Sequence, residues 1–327
     1  MSEQKISVTN MSMITSKSRI KKCKIPLGSS TKDVRIFHHR GIKQWKSHKI
    51  SAETMFEKLE NRSVVAWTTL IAGYTEHSQY ENAMKCFQQM LIEGILPDAV
   101  VLVFYLKACG NVGAPIKCEA LHAWIEAMRF SKESHFIFST LIEIYCNLGM
   151  IVKAQGLLDR LEIRDEISLT PLMTGYLEHG YCEEAFTYFK QIQLEGARLD
   201  SSLFVCGLKA CGSLKARDKG EEIYAEIEKK GWLEHKHVGN ALVDMYVKCG
   251  SVVIAQQVFD RLKIKDVVSW TTLISAYVED GCHQEALRYF ELMQEQCVFP
   301  NAVTFVSALK SCGIGRNMDQ GCEVHSQ

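Results

Sequence analysis

No stretch of this sequence is apolar for long enough to cross a membrane as a helix. The longest apolar run, AVVLVFYL at 99–106, falls far short of the roughly 20 residues that a spanning helix requires. Thirteen cysteines occur, yet no two stand as CxxC, which removes the pairing on which structural zinc sites are built. A disulfide-stapled secreted scaffold would be smaller and richer in loops, so the cysteines read as reduced thiols of a cytosol or organelle matrix. Proline is scarce, with five residues. The phosphate-cradling P-loop, the GxSxG nucleophile turn and the HExxH zinc helix are all missing. What is left is ordinary globular composition, 47% hydrophobic and 23% charged over 327 residues, enough for two or three domains or for one long array.

The formal net charge of zero hides an asymmetry. Residues 1–50 hold 12 Lys+Arg against 2 Asp+Glu, net +10, and the remainder carries net −10. Residues 1–47 are rich in Ser, Thr, Lys and Arg and nearly free of acids, the composition of a mitochondrial or plastid transit peptide. A disordered basic tail that touches RNA phosphates is the other reading.

From residue 48 onward the chain repeats. LKACG at 106–110 returns at 208–212 and, as LKSCG, at 309–313. VVAWTTLIAGY (64–74) recurs as EISLTPLMTGY (166–176) and VVSWTTLISAY (267–277), with HFIFSTLIEIY (135–145) and KHVGNALVDMY (236–246) between them. The units run 64–98, 99–134, 135–165, 166–200, 201–235, 236–266 and 267–301, with lengths of 35, 36, 31, 35, 35, 31 and 35. A partial unit precedes them at 48–63 and another follows at 302–327. Periods of this size signify a solenoid. Each unit reads as two helices. Trp67, Leu70, Ile71 and Tyr74 fall at i, i+3, i+4 and i+7 of the first, and Ala83, Met84, Phe87 and Met90 form the stripe of the second. Gly94 then stands where a helix end takes left-handed geometry, and Pro97 stops the helix. One such pair cannot bury its own stripe, so stacked neighbours must. Cys109, Cys211 and Cys312 hold one equivalent place in three units and read as small buried packing residues.

The unit VVSWTTLISAYVEDGCHQEALRYFELMQEQCVFPN (267–301) resembles the 35-residue motif of the pentatricopeptide repeat family of land plants. AVTFVSALKSCG and HVGNALVDMYVKCGSVVIAQQVFDRLKIKD resemble its long and short variants, and the 35/36/31 rotation resembles the PLS subclass. The resemblance covers the seven full units. It implies an all-α fold: an α-solenoid of antiparallel helix pairs in a right-handed superhelix. It also implies sequence-specific binding of single-stranded organellar RNA, one nucleotide per repeat, read by two or three side chains. The family's reading residues are the fifth and last of each motif, beside an apolar second residue.

Carried over by position, the reading pairs are Thr68 with Asp98, Ser139 with Asp165, Thr170 with Asp200, Asn240 with Asp266, and Thr271 with Asn301. The flanking residues are Val65, Phe136, Ile167 and Val268; His237 departs from that pattern. A carboxylate only accepts hydrogen bonds and suits the donors on guanine's Watson–Crick edge, whereas an Asn amide both donates and accepts. By the family's code Thr/Asp and Ser/Asp imply G, Asn/Asp implies U and Thr/Asn implies A. Val103, Val205 and Val306 in the long units have no group to read with. The implied register, 5′ to 3′ along the chain, is G-N-G-G-N-U-A. Helix capping alone would also select Asp before a helix and Ser or Thr near its start. The acidic array needs a local source of positive charge for RNA phosphates, either Lys107, Lys209 and Lys310 or the basic segment; a solvated helix face is the plain alternative for those lysines.

Members of this subclass often carry a C-terminal extension ending in a cytidine-deaminase-like domain, whose chemistry needs H-x-E followed by P-C-x-x-C. Here the H-x-E is His283-Gln284-Glu285, inside a repeat's second helix, and no P-C-x-x-C follows. KGEEIYAEIEKK (219–230) reads as a helix of alternating charge. The expectation is therefore a chain that lacks that extension, with no catalytic residues, cofactor, metal, small-molecule substrate or membrane partner. It would be an organellar RNA-binding factor, in a mitochondrion or chloroplast, for C-to-U editing with a deaminase recruited in trans. An RNA stability or splicing factor, and a protein-binding or truncated solenoid, are the alternatives. The last unit stops at CEVHSQ and the unit at 48–63 lacks a first helix, so both ends are expected to leave an apolar face open.

Overall fold

The computed structural model describes residues 56–57, 59, 62–128, 135–161, 166–196 and 199–314. The basic segment 1–47, Asp165 and the closing residues 315–327 lie outside them. The chain divides into two compact units, one ending at Ile163 and the other starting at Arg164. Every long element is an α-helix, and no helix among the described residues is long and apolar enough to cross a membrane.

The first unit holds α1 (Val64–Glu76), α2 (Tyr80–Ile92), α3 (Ala99–Val112), α4 (Pro115–Ala127), α5 (His135–Asn147) and α6 (Ile151–Asp159). The odd-numbered helices lie side by side, α1 against α3 and α3 against α5. Each even-numbered helix packs on its partner, and α2 and α4 also pack on the next odd-numbered helix. The stripe of α1 closes this core: Trp67, Leu70, Ile71 and Tyr74 are all buried, as are Ala83, Met84, Phe87 and Met90 of α2. Each fully buried Leu, Ile, Phe or Met among them contributes roughly 1.5–3 kcal/mol by leaving water. The apolar run at 99–106 falls in α3, whose residues from Val101 to Leu106 are all buried. A helix that is apolar all round must be covered all round, and α1, α2, α4 and α5 cover it.

The second unit continues the plan with α7 (Glu166–Glu178), α8 (Cys182–Leu194), α9 (Ser201–Leu214), α10 (Arg217–Lys230), a 3₁₀ turn at Trp232–Glu234, α11 (Lys236–Lys248), α12 (Val252–Arg261), α13 (Val267–Glu279), α14 (His283–Glu295) and α15 (Ala302–Ile314). Here α7, α9, α11, α13 and α15 form the row. Ion pairs tie successive even-numbered helices together, Lys190 to Glu222 at 2.7 Å and Arg261 to Glu228 at 2.6 Å. Pro171 sits inside α7 and has no N–H to offer the helix ladder.

One turn recurs between the two helices of each pair. The residue after the turn donates its N–H five residues back: Gln79 to Tyr74 (2.8 Å), Ala114 to Cys109 (2.9 Å), Met150 to Tyr145 (2.8 Å), Tyr181 to Tyr176 (2.8 Å), Ala216 to Cys211 (2.9 Å), Ser251 to Tyr246 (2.9 Å) and Cys282 to Tyr277 (2.8 Å). This is the Schellman closure, which needs one left-handed residue. Gly113, Gly149, Gly180, Gly250 and Gly281 supply it with φ near +70°, while Ser78 (φ 58°) and Lys215 (φ 53°) adopt it without being glycine. The recurring cysteine thus occupies the place that tyrosine holds in the other pairs, and Cys109, Cys211 and Cys312 are buried like those tyrosines.

Candidate nucleic-acid interface

The odd-numbered helices start with a common arrangement. Most of the described second residues point to solvent although several are large and apolar: Val65 is 57% exposed, Phe136 59%, Val268 51% and Val303 58%, while Val100 of α3 is half-buried. His237 and Ser202 are exposed at the same place. Val303 is a flanking position that the sequence reading did not single out. Of Ile167 only the backbone, in α7, is described.

Three residues further on stand the fifth-position side chains. Thr68, Thr170, Asn240 and Thr271 are half-buried, and Ser139 is 4% exposed. The hydroxyls donate back to their own helix, Thr68 to the Val64 carbonyl (2.8 Å), Ser139 to the His135 carbonyl (3.0 Å) and Thr271 to the Val267 carbonyl (2.6 Å). With that hydrogen engaged, Thr68 and Ser139 have only lone pairs to offer a ligand; Thr271 Oγ1 also lies 2.7 Å from Thr304 Oγ1, so its one hydrogen serves either the Val267 carbonyl or Thr304. In the long units Val103 is buried, Val205 half-buried and Val306 50% exposed.

The last-position side chains cap the following odd-numbered helix. Asp98 accepts from the Val101 N–H and Asp200 from the Leu203 N–H, each at 2.9 Å through Oδ1. Asp266 Oδ1 accepts from the Val268 N–H (3.1 Å) and the Ser269 N–H (3.0 Å), and from Asn240 Nδ2 at 3.0 Å. Its Oδ2 meets Lys236 Nζ at 3.1 Å. Partial burial alone would raise this carboxyl, but the Ser269 N–H, the Lys236 ammonium and the Asn240 amide outweigh it and hold it below the usual carboxylate range.

Capping therefore accounts for part of what the aspartates do, and at Asp266 the capping carboxylate also meets a fifth-position residue, Asn240. Asn240 and Asp266 touch directly. Thr271 and Asn301 are joined through Thr304, whose hydroxyl lies 2.7 Å from Thr271 Oγ1 and 2.9 Å from Asn301 Oδ1. Thr68 and Asp98 are each bonded to their own helix, and Asp165, the partner expected for Ser139, is outside the described residues.

Lys107, Lys209 and Lys310 are exposed, and among the described residues their ammonium groups have no ion-pair partner. His283 and Glu285 lie in the first turn of α14, where Glu285 pairs with Arg288 at 3.2 Å. Among the described residues no three His, Cys, Asp or Glu side chains gather as a metal site. Sequence reasoning missed Lys236, Ser269 and Thr304. Lysine at the first place and threonine at the third do not recur along the array, although serine at the third place does, as Ser168; Ser269 and Thr304 reach the last residue of the preceding unit, and Lys236 the last residue of its own.

Comparison with known proteins agrees with this architecture. The PPR repeat family matches residues 62–111 and 265–313, and the PPR repeat matches 136–165, 167–196 and 240–267; together they span just over half of the chain. Among relatives from Arabidopsis thaliana, pentatricopeptide repeat-containing protein DOT4, chloroplastic, is 34% identical over 83% of this chain and 31% of its own length. Pentatricopeptide repeat-containing protein At3g24000, mitochondrial, is 33% identical over 78% of this chain and 40% of its own. The chain thus spans well under half the length of these two relatives. The crystal structure of the pentatricopeptide repeat protein PPR10 from maize aligns over 98% of this chain and 47% of that one, with a TM-score of 0.68 and 19% identity. PPR10 in complex with an 18-nt psaJ RNA element aligns over 87% of this chain and 41% of that one, with a TM-score of 0.65 and 21% identity. These likenesses carry the fold, an all-α solenoid of helix pairs.

Proposed function

The chain belongs to the PPR repeat family, and on that premise we propose that it binds single-stranded RNA sequence-specifically, one nucleotide per repeat. The observation that carries the reading is the arrangement at the starts of the odd-numbered helices. An exposed apolar residue stands three places before a polar fifth residue, and an anchored carboxylate or amide caps the next helix beside it. Asn240 with Asp266, and Thr271 with Asn301, are linked by hydrogen bonds.

Each pair offers a distinct edge. At Asp98 and Asp200 one oxygen caps a helix and the other accepts from the ring and amino donors of guanine. At Asn301, Oδ1 is held by Thr304, so the amide donors face outward and suit adenine N1, an acceptor; guanine carries a hydrogen there and would set donor against donor. Asn240 with Asp266 is the uracil pair, and Val65, Phe136, Ile167 and Val268 flank the bases. The register is G-N-G-G-N-U-A, with Ser139 and Asp165 as the third position. The chain acts as a binding array, not as an enzyme, in a mitochondrion or chloroplast. The 35/36/31 alternation favours a PLS-type factor for C-to-U editing, with a deaminase recruited in trans.

Selection of the full chain on a randomised single-stranded RNA pool at ~0.1 M salt tests this. Enrichment of a GNGGNUA-like register is expected, with its first and fourth positions lost in Thr68→Val/Thr170→Val. No enrichment, or enrichment that the double variant leaves unchanged, overturns the base-reading assignment. Failure to co-purify a deaminase from organelle extract, with RNA selection intact, would count against editing alone.

A further inference from the structure

Four pairs of reading residues can be compared at the residue two places into the following helix. Behind Asp98 stands Val101 and behind Asp200 stands Leu203; each contributes only its backbone N–H. Behind Asp266 stands Ser269, whose hydroxyl donates to the Asp266 carbonyl at 2.9 Å and accepts from the Asp266 N–H at 3.1 Å, and so stays on the backbone. Behind Asn301 stands Thr304, which behaves differently. It is fully buried. Its N–H and its hydroxyl both donate to Asn301 Oδ1, each at 2.9 Å, and its Oγ1 accepts from the Asn301 N–H at 3.3 Å. The same Oγ1 lies 2.7 Å from Thr271 Oγ1.

A hydroxyl has one hydrogen and two lone pairs. With the hydrogen given to Asn301 Oδ1, the lone pairs receive the Asn301 N–H and, when its hydrogen turns from the Val267 carbonyl, the Thr271 hydroxyl. Asn301 Oδ1 then holds two donors from one residue, which fixes the amide with its Nδ2 hydrogens turned away from Thr304. Water cannot replace a side chain this buried. We propose that Thr304, the third residue of the next repeat, is a positioning residue for the last base: it locks Thr271 and Asn301 into one hydrogen-bonded unit and sets their donors and acceptors. This rests on the RNA-binding reading above. It makes the specificity of one repeat depend on a side chain of its successor, beyond the residues assigned to reading.

The test uses Thr304→Val, which removes the hydroxyl and keeps the backbone N–H that caps α15. Binding of the full chain is measured to register-matched RNAs with A or G at the seventh position, and with G or A at the first. In Thr304→Val the preference for A over G at the seventh position is expected to fall roughly threefold to tenfold, the net worth of one hydrogen bond. The first-position preference should be unchanged, and Thr304→Ser should restore the seventh. If the thermal melt shows that the valine is not accommodated, Thr304→Ala repeats the comparison without adding bulk. Unchanged seventh-position discrimination in the variants, with first-position preference intact, overturns the role of Thr304 alone. Absence of base preference at every position in the parent chain overturns the RNA reading together with it.

Discussion

Asp266 shows how one side chain serves both the fold and the candidate site. It caps α13 through a capping box with Ser269, an interaction that typically contributes about 1 kcal/mol, and it holds Asn240 and Lys236 as well. Because its carboxyl lies below the usual range in the folded chain, the ionised form is the one that folding favours. The stability it contributes is fully present above the unfolded value, about 3.9, and is lost as pH falls through the lower folded value. Chemical unfolding of the parent chain and Asp266→Asn from pH 7 to pH 3 checks this: the gap between them should close over the acidic end of that window. A gap that is the same at pH 7 and pH 3 would mean that the carboxylate charge contributes nothing. The reading residues were placed by their position in the repeat. Their committed hydrogen-bonding groups were not visible that way, because Thr271 meets Thr304 across 33 residues and Asn240 meets Asp266 across 26.

The helices were legible because their signals are local. Trp67, Leu70, Ile71 and Tyr74 mark the buried stripe of α1 by spacing alone, and Trp270, Leu273, Ile274 and Tyr277 repeat it in α13. The connecting turn was legible only in part. Glycine announces the left-handed residue at Gly149, Gly180, Gly250 and Gly281, but Ser78 and Lys215 take that geometry with no signal in their type; only their place in the period gives it away. This yields opposite expectations at one equivalent position. An L-residue in the left-handed region costs roughly 1–2 kcal/mol, partly offset by the entropy that glycine loses on folding. Lys215→Gly should therefore stabilise the chain by up to about 1 kcal/mol. Gly250→Ala should destabilise it by a similar amount, although a Cβ there would meet nothing within 4 Å. Paired thermal melts decide it, and equal shifts of one sign would refute the turn argument. The ion pairs between even-numbered helices promise less: Lys153–Glu119 and Lys219–Glu183 are largely exposed, and such pairs contribute about 0–1 kcal/mol each.

Charge sets the remaining problem, because residues 51–327 are net −10 while RNA affinity normally derives from neutralised phosphates. Five readable bases also select only about one site in ~1,000, so specificity has to be weighed against the number of competing sites. Base contacts then decide where the chain sits, and phosphate contacts decide how tightly. Two sources of positive charge are available: the exposed Lys107, Lys209 and Lys310 at one equivalent place in the long units, and residues 1–50 with their net +10. They can be separated by salt dependence, since each phosphate neutralised on a single strand steepens the slope of log affinity against log salt by about 0.7. Replacing all three lysines by Gln should flatten that slope by about 2 while leaving the preferred register unchanged, because phosphate contacts carry no sequence information. A slope that the lysine variants leave intact, and that flattens only when residues 1–47 are removed, would assign the phosphates to the basic segment. The lysines would then be a solvated helix face, and the array would contribute base selection while the segment ahead of it supplied the affinity.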